Sequence, residues 1–206
     1  MEWFTSTRET KTIKKHNIQQ LTRLPEGLKN LYCDHLHITR LQIHLPYTIE
    51  LFHCGNNKLT VLPPLPPELR VLHCGENRLT VLPELPPDLR SLICQKNHLL
   101  FLPTLPPHLD FLCCNDNELT VLPLLPDTLR SLYCFNNKLT VMPELPPHLE
   151  TLYCFNNKLT FMPPLPPTLR NLKCHGNRFA PPFFPTITDN WEEDSLHLSQ
   201  IYGAGQ

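Results

Sequence analysis

The 206 residues contain no apolar run near the ~20 needed to span a bilayer, so no membrane-crossing helix is expected. They carry no excess charge either. Eighteen lysines and arginines stand against nineteen acids, a net charge of −1, which gives no electrostatic reason to expect nucleic acid or an anionic membrane as partner. The start, Met1-Glu2-Trp3-Phe4-Thr5, lacks the basic stretch and apolar segment of a secretory signal. The expected location is therefore intracellular, with the cytoplasm of a host cell included, since a dedicated export machine need not read such a signal. Glycine is scarce, six residues against twenty-four prolines. Proline at that density usually accompanies disorder, but here it is periodic and interleaved with leucine, which rejects that reading.

The period is twenty. Cys54, Cys74, Cys94, Cys114, Cys134, Cys154 and Cys174 follow it, as do Asn57, Asn77, Asn97, Asn117, Asn137, Asn157 and Asn177. Pro63, Pro83, Pro103, Pro123, Pro143 and Pro163 keep the same step. Eight units begin at Leu28, Ile49, Leu69, Leu89, Leu109, Leu129, Leu149 and Leu169; the first is one residue longer and has Leu36 where the others have asparagine. That register divides the chain into an N-terminal cap over 1–27, a solenoid over 28–182 and a C-terminal cap or tail over 183–206. In the last of these, Asp189 and Glu192 read as a helix-capping box, with Trp191, Leu198 and Tyr202 near one helical face.

The consensus L-x-x-L-x-C-x-x-N-x-L-T-x-L-P-x-L-P-P-x resembles the leucine-rich repeat, with cysteine at a core position. Its LPxLPP half resembles the short repeats of IpaH/YopM-type bacterial effectors, and the cysteine-bearing form is similar to repeat proteins of giant amoeba-infecting viruses. The resemblance covers roughly residues 21–182. It implies a repeat solenoid with a parallel β-sheet on the concave face. On the convex side the prolines deny the backbone a regular helix and favour extended, polyproline-like geometry. Little helix is expected beyond the C-terminal cap. Each unit is too small to hide its own leucines, so stacking creates the core. The asparagines are expected to satisfy backbone groups where the chain turns after each strand. Leu36 cannot do this, and the first unit is expected to be irregular or shielded by the N-terminal segment.

The cysteine ladder belongs to the core, where a reduced thiol behaves as a small hydrophobe. Parallel neighbouring side chains suit disulfide torsions poorly, and a straight row does not converge on zinc. Cys113, the outward neighbour of Cys114, is the expected reactive thiol. Cys114-Asn115-Asp116 matches the C-x-D nucleophile motif of the ubiquitin-ligase domain found in IpaH-type effectors, but it lies in repeat register, and about thirty residues after the last repeat strand leave no room for such a domain. No catalytic residue, cofactor or metal site is therefore expected. His53 and His73 occupy equivalent outward positions in adjacent units, but two ligands without a third make a weak metal site.

Strand alternation puts Tyr133, Phe135, Tyr153 and Phe155 outward in adjacent units, with Phe111 at one edge. Lys138, Lys158, Glu118 and Arg178 form a polar rim. Clustered aromatics on an outward face are what protein-binding hot spots use. Phe111, Tyr133, Phe135, Tyr153, Phe155, His53 and His73 are thus the expected partner-binding residues of a monomeric, non-catalytic protein-binding module, one that engages a host protein if the effector resemblance extends to function. Two alternatives are a substrate-recognition subunit working with a separate ubiquitin ligase, for which the 27 residues before the repeats are too few to form an F-box, and a self-assembling structural protein.

Overall fold

The computed structural model describes residues 4–7, 10–13 and 24–179. The anticipated C-terminal capping helix lies outside the described residues. Among the described residues ten strands form one sheet in chain order: β1 (Phe4–Thr7), β2 (Thr10–Ile13), β3 (Asn30–Tyr32), β4 (Leu51–His53), β5 (Val71–His73), β6 (Ser91–Ile93), β7 (Phe111–Cys113), β8 (Ser131–Tyr133), β9 (Thr151–Tyr153) and β10 (Asn171–Lys173). β1 and β2 are antiparallel, and every later pairing is parallel. Equivalent residues of successive units are register partners, as with His53 and His73 or Tyr133 and Tyr153. The extra residue of the first unit does not disturb this, because Tyr32 pairs with His53.

The leucine-rich-repeat solenoid read from the sequence is thus the fold observed. In one unit Leu69, Leu72, Cys74 and Leu79 are fully buried and Leu82 nearly so, while Leu85 packs against the same core from a half-buried position. Burying each leucine stabilises by about 1.5–3 kcal/mol, and neighbouring units supply the covering surface. The return segment has neither helix nor strand. It ends in a β-turn in which the leucine opening the next unit donates its N–H to a proline carbonyl three residues back, for example Leu69 to Pro66 at 3.2 Å and Leu129 to Pro126 at 3.0 Å. In most units a second proline follows the first, pre-setting φ at the position where a turn requires it.

The turn after each strand is held by asparagine. The Asn117 amide donates to the carbonyl oxygens of Cys94, Cys114 and Asn115 at 3.1, 3.1 and 3.2 Å, while its Oδ1 accepts the Leu99 N–H at 3.0 Å. Each asparagine therefore ties its own turn to the unit before it. Asn57 does so for the first unit, accepting from Leu36 and Ile38 N–H at 3.0 and 3.2 Å and donating to Cys33 O at 2.9 Å. The ladder points toward the N-terminus, so Leu36 costs the stack nothing at this interface. The first unit is irregular in another respect. His35 and His37 both have positive φ, whereas later units have one such residue, immediately before the asparagine. Asn56, Asp116, Asn136 and Asn156 suit that left-handed conformation and Gly176 adopts it freely; Glu76 and Lys96 do not suit it, but they pair at 3.0 Å.

All nine cysteines are thiols, not disulfides. Burial pushes the Cys74 thiol up to about 12 and raises those of Cys33, Cys54, Cys94, Cys114, Cys134 and Cys154 well above the ordinary range. The expectation for Cys113 is corrected. It is fully buried, in register between the larger Ile93 and Tyr133, and its Sγ–H donates to Asn115 Oδ1 at 2.9 Å. Outward direction in a strand is not exposure when large neighbours close over a small side chain. Cys174 alone is half-exposed.

Two outcomes follow from this packing. Asn117→Ala strands the buried Leu99 N–H and takes one of two asparagine donors from each of the Cys94 and Cys114 carbonyls, so it is expected to cost about 1–3 kcal/mol in denaturant unfolding, the cost of one unsatisfied buried group. Asn177→Ala, in the half-exposed last unit, should cost less than half as much, and equal costs would show that the ladder is not what holds the middle of the stack. In native thiol titration Cys174 should react first and Cys113 should stay protected with the remaining ladder. Rapid labelling of Cys113 identified by peptide mapping would overturn its placement.

Candidate functional site: the outward rows of the sheet

Because parallel strands stack in register, side chains at one outward position form a continuous row. The row preceding the core cysteine begins with Tyr32, His53 and His73, whose rings meet edge to face at centroid distances of 4.9 and 5.1 Å. Further along, Tyr133 meets Tyr153 edge to face at 5.2 Å and the Lys173 ammonium lies over the Tyr153 ring at 4.9 Å, while Phe111, from the outward position two residues earlier in β7, lies 5.5 Å from Tyr133. In the row following the cysteine, Phe135, Phe155 and His175 stack nearly parallel at 4.4 and 4.7 Å.

The five aromatic residues singled out from the sequence therefore meet, but not equally. Phe135 is buried at 7% exposure beneath its stacking neighbour, while Phe111, Tyr133, Tyr153 and Phe155 remain half-buried. Phe135 supports the patch more than it forms its surface. Of the anticipated rim, Lys138 and Glu118 pair at 2.9 Å, and this ammonium, first by hydrogen bonding and then by charge, holds the Glu118 carboxyl below its usual range.

His53 and His73 form a separate cluster at the other end of the row. Sequence spacing left this pair without a third ligand, and Asp34 supplies one. The ligand atoms of Asp34, His53 and His73 lie within 4.8 Å of one another, all on half-buried side chains. Asp34 follows its cysteine whereas the histidines precede theirs, so alternation alone assigns it to a different row. It reaches them because Gly55 leaves the floor open: a Cβ there would stand 3.1 Å from His73 Nε2 and 3.2 Å from Asp34 Oδ1. The Gly55 N–H also donates to Asp34 Oδ1 at 2.7 Å. Burial holds both imidazoles below the usual histidine range, and the Asp34 carboxylate pulls the other way less strongly. Gly75 leaves a similar opening in the next unit, where the Gln95 side chain occupies the space a Cβ would need.

A further surface had a periodic signal that composition-based reading passes over. Val61, Val81, Phe101, Val121, Val141 and Phe161 recur at the repeat step, two residues before the proline, and are 43–67% exposed. Among the described residues no helix is long and apolar enough to cross a membrane.

No protein-family model matches the chain, and no curated protein does. Solved structures do. YopM from Yersinia enterocolitica WA-314 is 34% identical, with a TM-score of 0.64 over 81% of this chain and 42% of that one. YopM from Yersinia pestis, a leucine-rich effector protein, is 32% identical with a TM-score of 0.69 over 81% of this chain and 49% of that one. A Shigella effector leucine-rich-repeat domain is 32% identical with a TM-score of 0.53 over 77% and 62%. The chain thus spans between 42% and 62% of the length of these three relatives. With the stacked strands, the backward-reaching asparagines and the proline turns, these likenesses make the chain a leucine-rich-repeat solenoid similar to the repeat domains of bacterial effector proteins.

Proposed function

We propose that this chain is a non-catalytic protein-binding module that takes its partner on the concave sheet, at the patch of Tyr133, Tyr153 and Phe155 supported by Phe111 and Phe135, and that the partner is a host protein. The observation that supports this reading is the aromatic ladder itself. Nothing in the stacking of the core requires aromatic residues at outward positions, since the equivalent row positions elsewhere hold His53, His73, Ile93 and Lys173 in the same sheet. Half-buried rings on a rigid sheet offer large contact area at small conformational cost, which is how binding hot spots work. Likeness to effector repeat domains supports a host protein as the partner. His53 and His73 lie at the far end of the same row, where a long partner would reach them.

The test separates recognition from packing. Tyr153→Ala combined with Phe155→Ala removes rings that stack on neighbours but leaves the inward Cys154 and Leu152 in place. Its stability should fall by about 1.5–4.5 kcal/mol, from three ring contacts at about 0.5–1.5 kcal/mol each. Partner capture from eukaryotic cell extract, read by quantitative mass spectrometry against wild type, should fall by about thirtyfold or more, the equivalent of about 2 kcal/mol at a hot spot. Val121→Asp with Val141→Asp, on the exposed apolar stripe, should leave the captured set unchanged. The reverse pattern, with capture lost from the stripe variant and kept by the aromatic one, would move the recognition surface off the sheet.

A further inference from the structure

We infer that Asp34, His53 and His73 form a binding site for one divalent transition-metal ion of the zinc class, with a coordination position open toward the concave surface. The donor set is two imidazole nitrogens and one carboxylate oxygen, the combination that borderline cations accept and that, with three protein ligands, leaves a fourth position for water or an incoming group. Geometry favours it. Three atoms no more than 4.8 Å apart share a centre within about 2.8 Å of each, and zinc bonds of about 2.0–2.2 Å require each ligand to move in by less than about 1 Å.

The surroundings are built for that convergence. His53 on β4, His73 on β5 and Asp34 in the turn after β3 come from three successive units, and parallel register fixes the spacing of the two histidines, so two of the ligands ride on the sheet and the third on a turn tied to it by the Gly55 N–H. The main-chain N–H of Gly55 orients the Asp34 carboxylate, as outer hydrogen bonds do for metal-binding carboxylates. Gly55 also keeps the space between Asp34 and His73 clear, where any larger residue would press on both. The rings of Tyr32 and His73 flank His53 on its two sides and limit its rotation. His35 and Glu76 are further ionisable groups whose charge acts on His73, in opposite directions. The site does not depend on the aromatic patch, which lies further along the sheet, so it stands whether or not the proposed recognition surface does.

The cysteines dictate the choice of probe. The purified full chain, reduced and stripped with chelator, is titrated with cobalt(II), whose visible absorption distinguishes nitrogen–oxygen ligation from thiolate ligation. The expected result is saturation at one equivalent, no thiolate charge-transfer band, and displacement by zinc. Asp34→Asn retains an oxygen to accept the Gly55 N–H while losing the charge, and His73→Gln removes a ligand; both should weaken binding by at least about tenfold. Cys174→Ser should bind like wild type. Without recourse to any variant, one equivalent of zinc should raise the melting temperature of the wild-type chain, because a ligand bound only by the folded state stabilises it. Absence of saturable binding, a thiolate band, undiminished binding by Asp34→Asn, or an unchanged melting temperature would each overturn the site.

Discussion

The asparagine amide is the constraint on which the rest of this molecule depends. One side chain closes its own turn, through the carbonyls of the cysteine and the residue after it, and clamps the preceding unit through a cysteine carbonyl and a leucine N–H. The leucine N–H would otherwise be buried without a partner, at about 1–3 kcal/mol, and each cysteine carbonyl is shared between the asparagine of its own unit and that of the next. The clamp has a fixed reach, so the distance between turns is fixed too. Strands on either side of it are then held in parallel register without long ladders of their own, which explains how a sheet can be built from strands of three residues. It also demands a left-handed residue just before the asparagine, and the chain meets that demand mostly with asparagine, aspartate and glycine.

Register then converts sequence into surface. A residue at an outward position has its counterparts from the units before and after directly beside it, so any side chain placed there is extended into a row. Aromatics become a stacked patch at one end; imidazoles become a cluster at the other. Glycine modulates the depth of the row. Gly55 and Gly75 leave room that the side chains of neighbouring units occupy, His73 and Asp34 in one case and Gln95 in the other. The same backbone therefore presents a filled aromatic surface and a recessed polar one, differing only in a few outward residues.

Most of the fold was legible because repetition supplies many readings of one unit. Period, inward positions, the absence of helix on the return segment and the role of asparagine all follow from aligning eight copies. Direction along a strand was legible for the same reason. What lay beyond it was coverage. Cys113 and Phe135 point outward as alternation says, yet both are buried, because exposure depends on the sizes of side chains in the next unit. Asp34 was hidden for a related reason. It belongs to a different outward row from His53 and His73, and it joins them only because its neighbour in its own row, Gly55, has no side chain to stand in the way. The direction of the asparagine clamp was equally invisible: Leu36 looked like a defect, and is one only if each asparagine serves its own unit alone.

That direction has a consequence for how such an array is assembled. Eight units have seven interfaces, and seven asparagines fill them, each contributed by the unit on the C-terminal side. A unit without asparagine can stand only where no repeat turn lies on its N-terminal side; here β2 of the hairpin pairs with β3 instead, and the unit's own cysteine carbonyl is bound by its successor. The N-terminal position is thus free to depart from the consensus, and it does, with one extra residue, two left-handed histidines and an aspartate where the next two units have glycine. Asp34, the residue that completes the His53–His73 cluster, stands in the one unit whose turn answers to no asparagine of its own. The relaxed constraint and the distinctive chemistry coincide there, because the place where the stack asks least of the sequence is the place where a polar site can be added without weakening an interface.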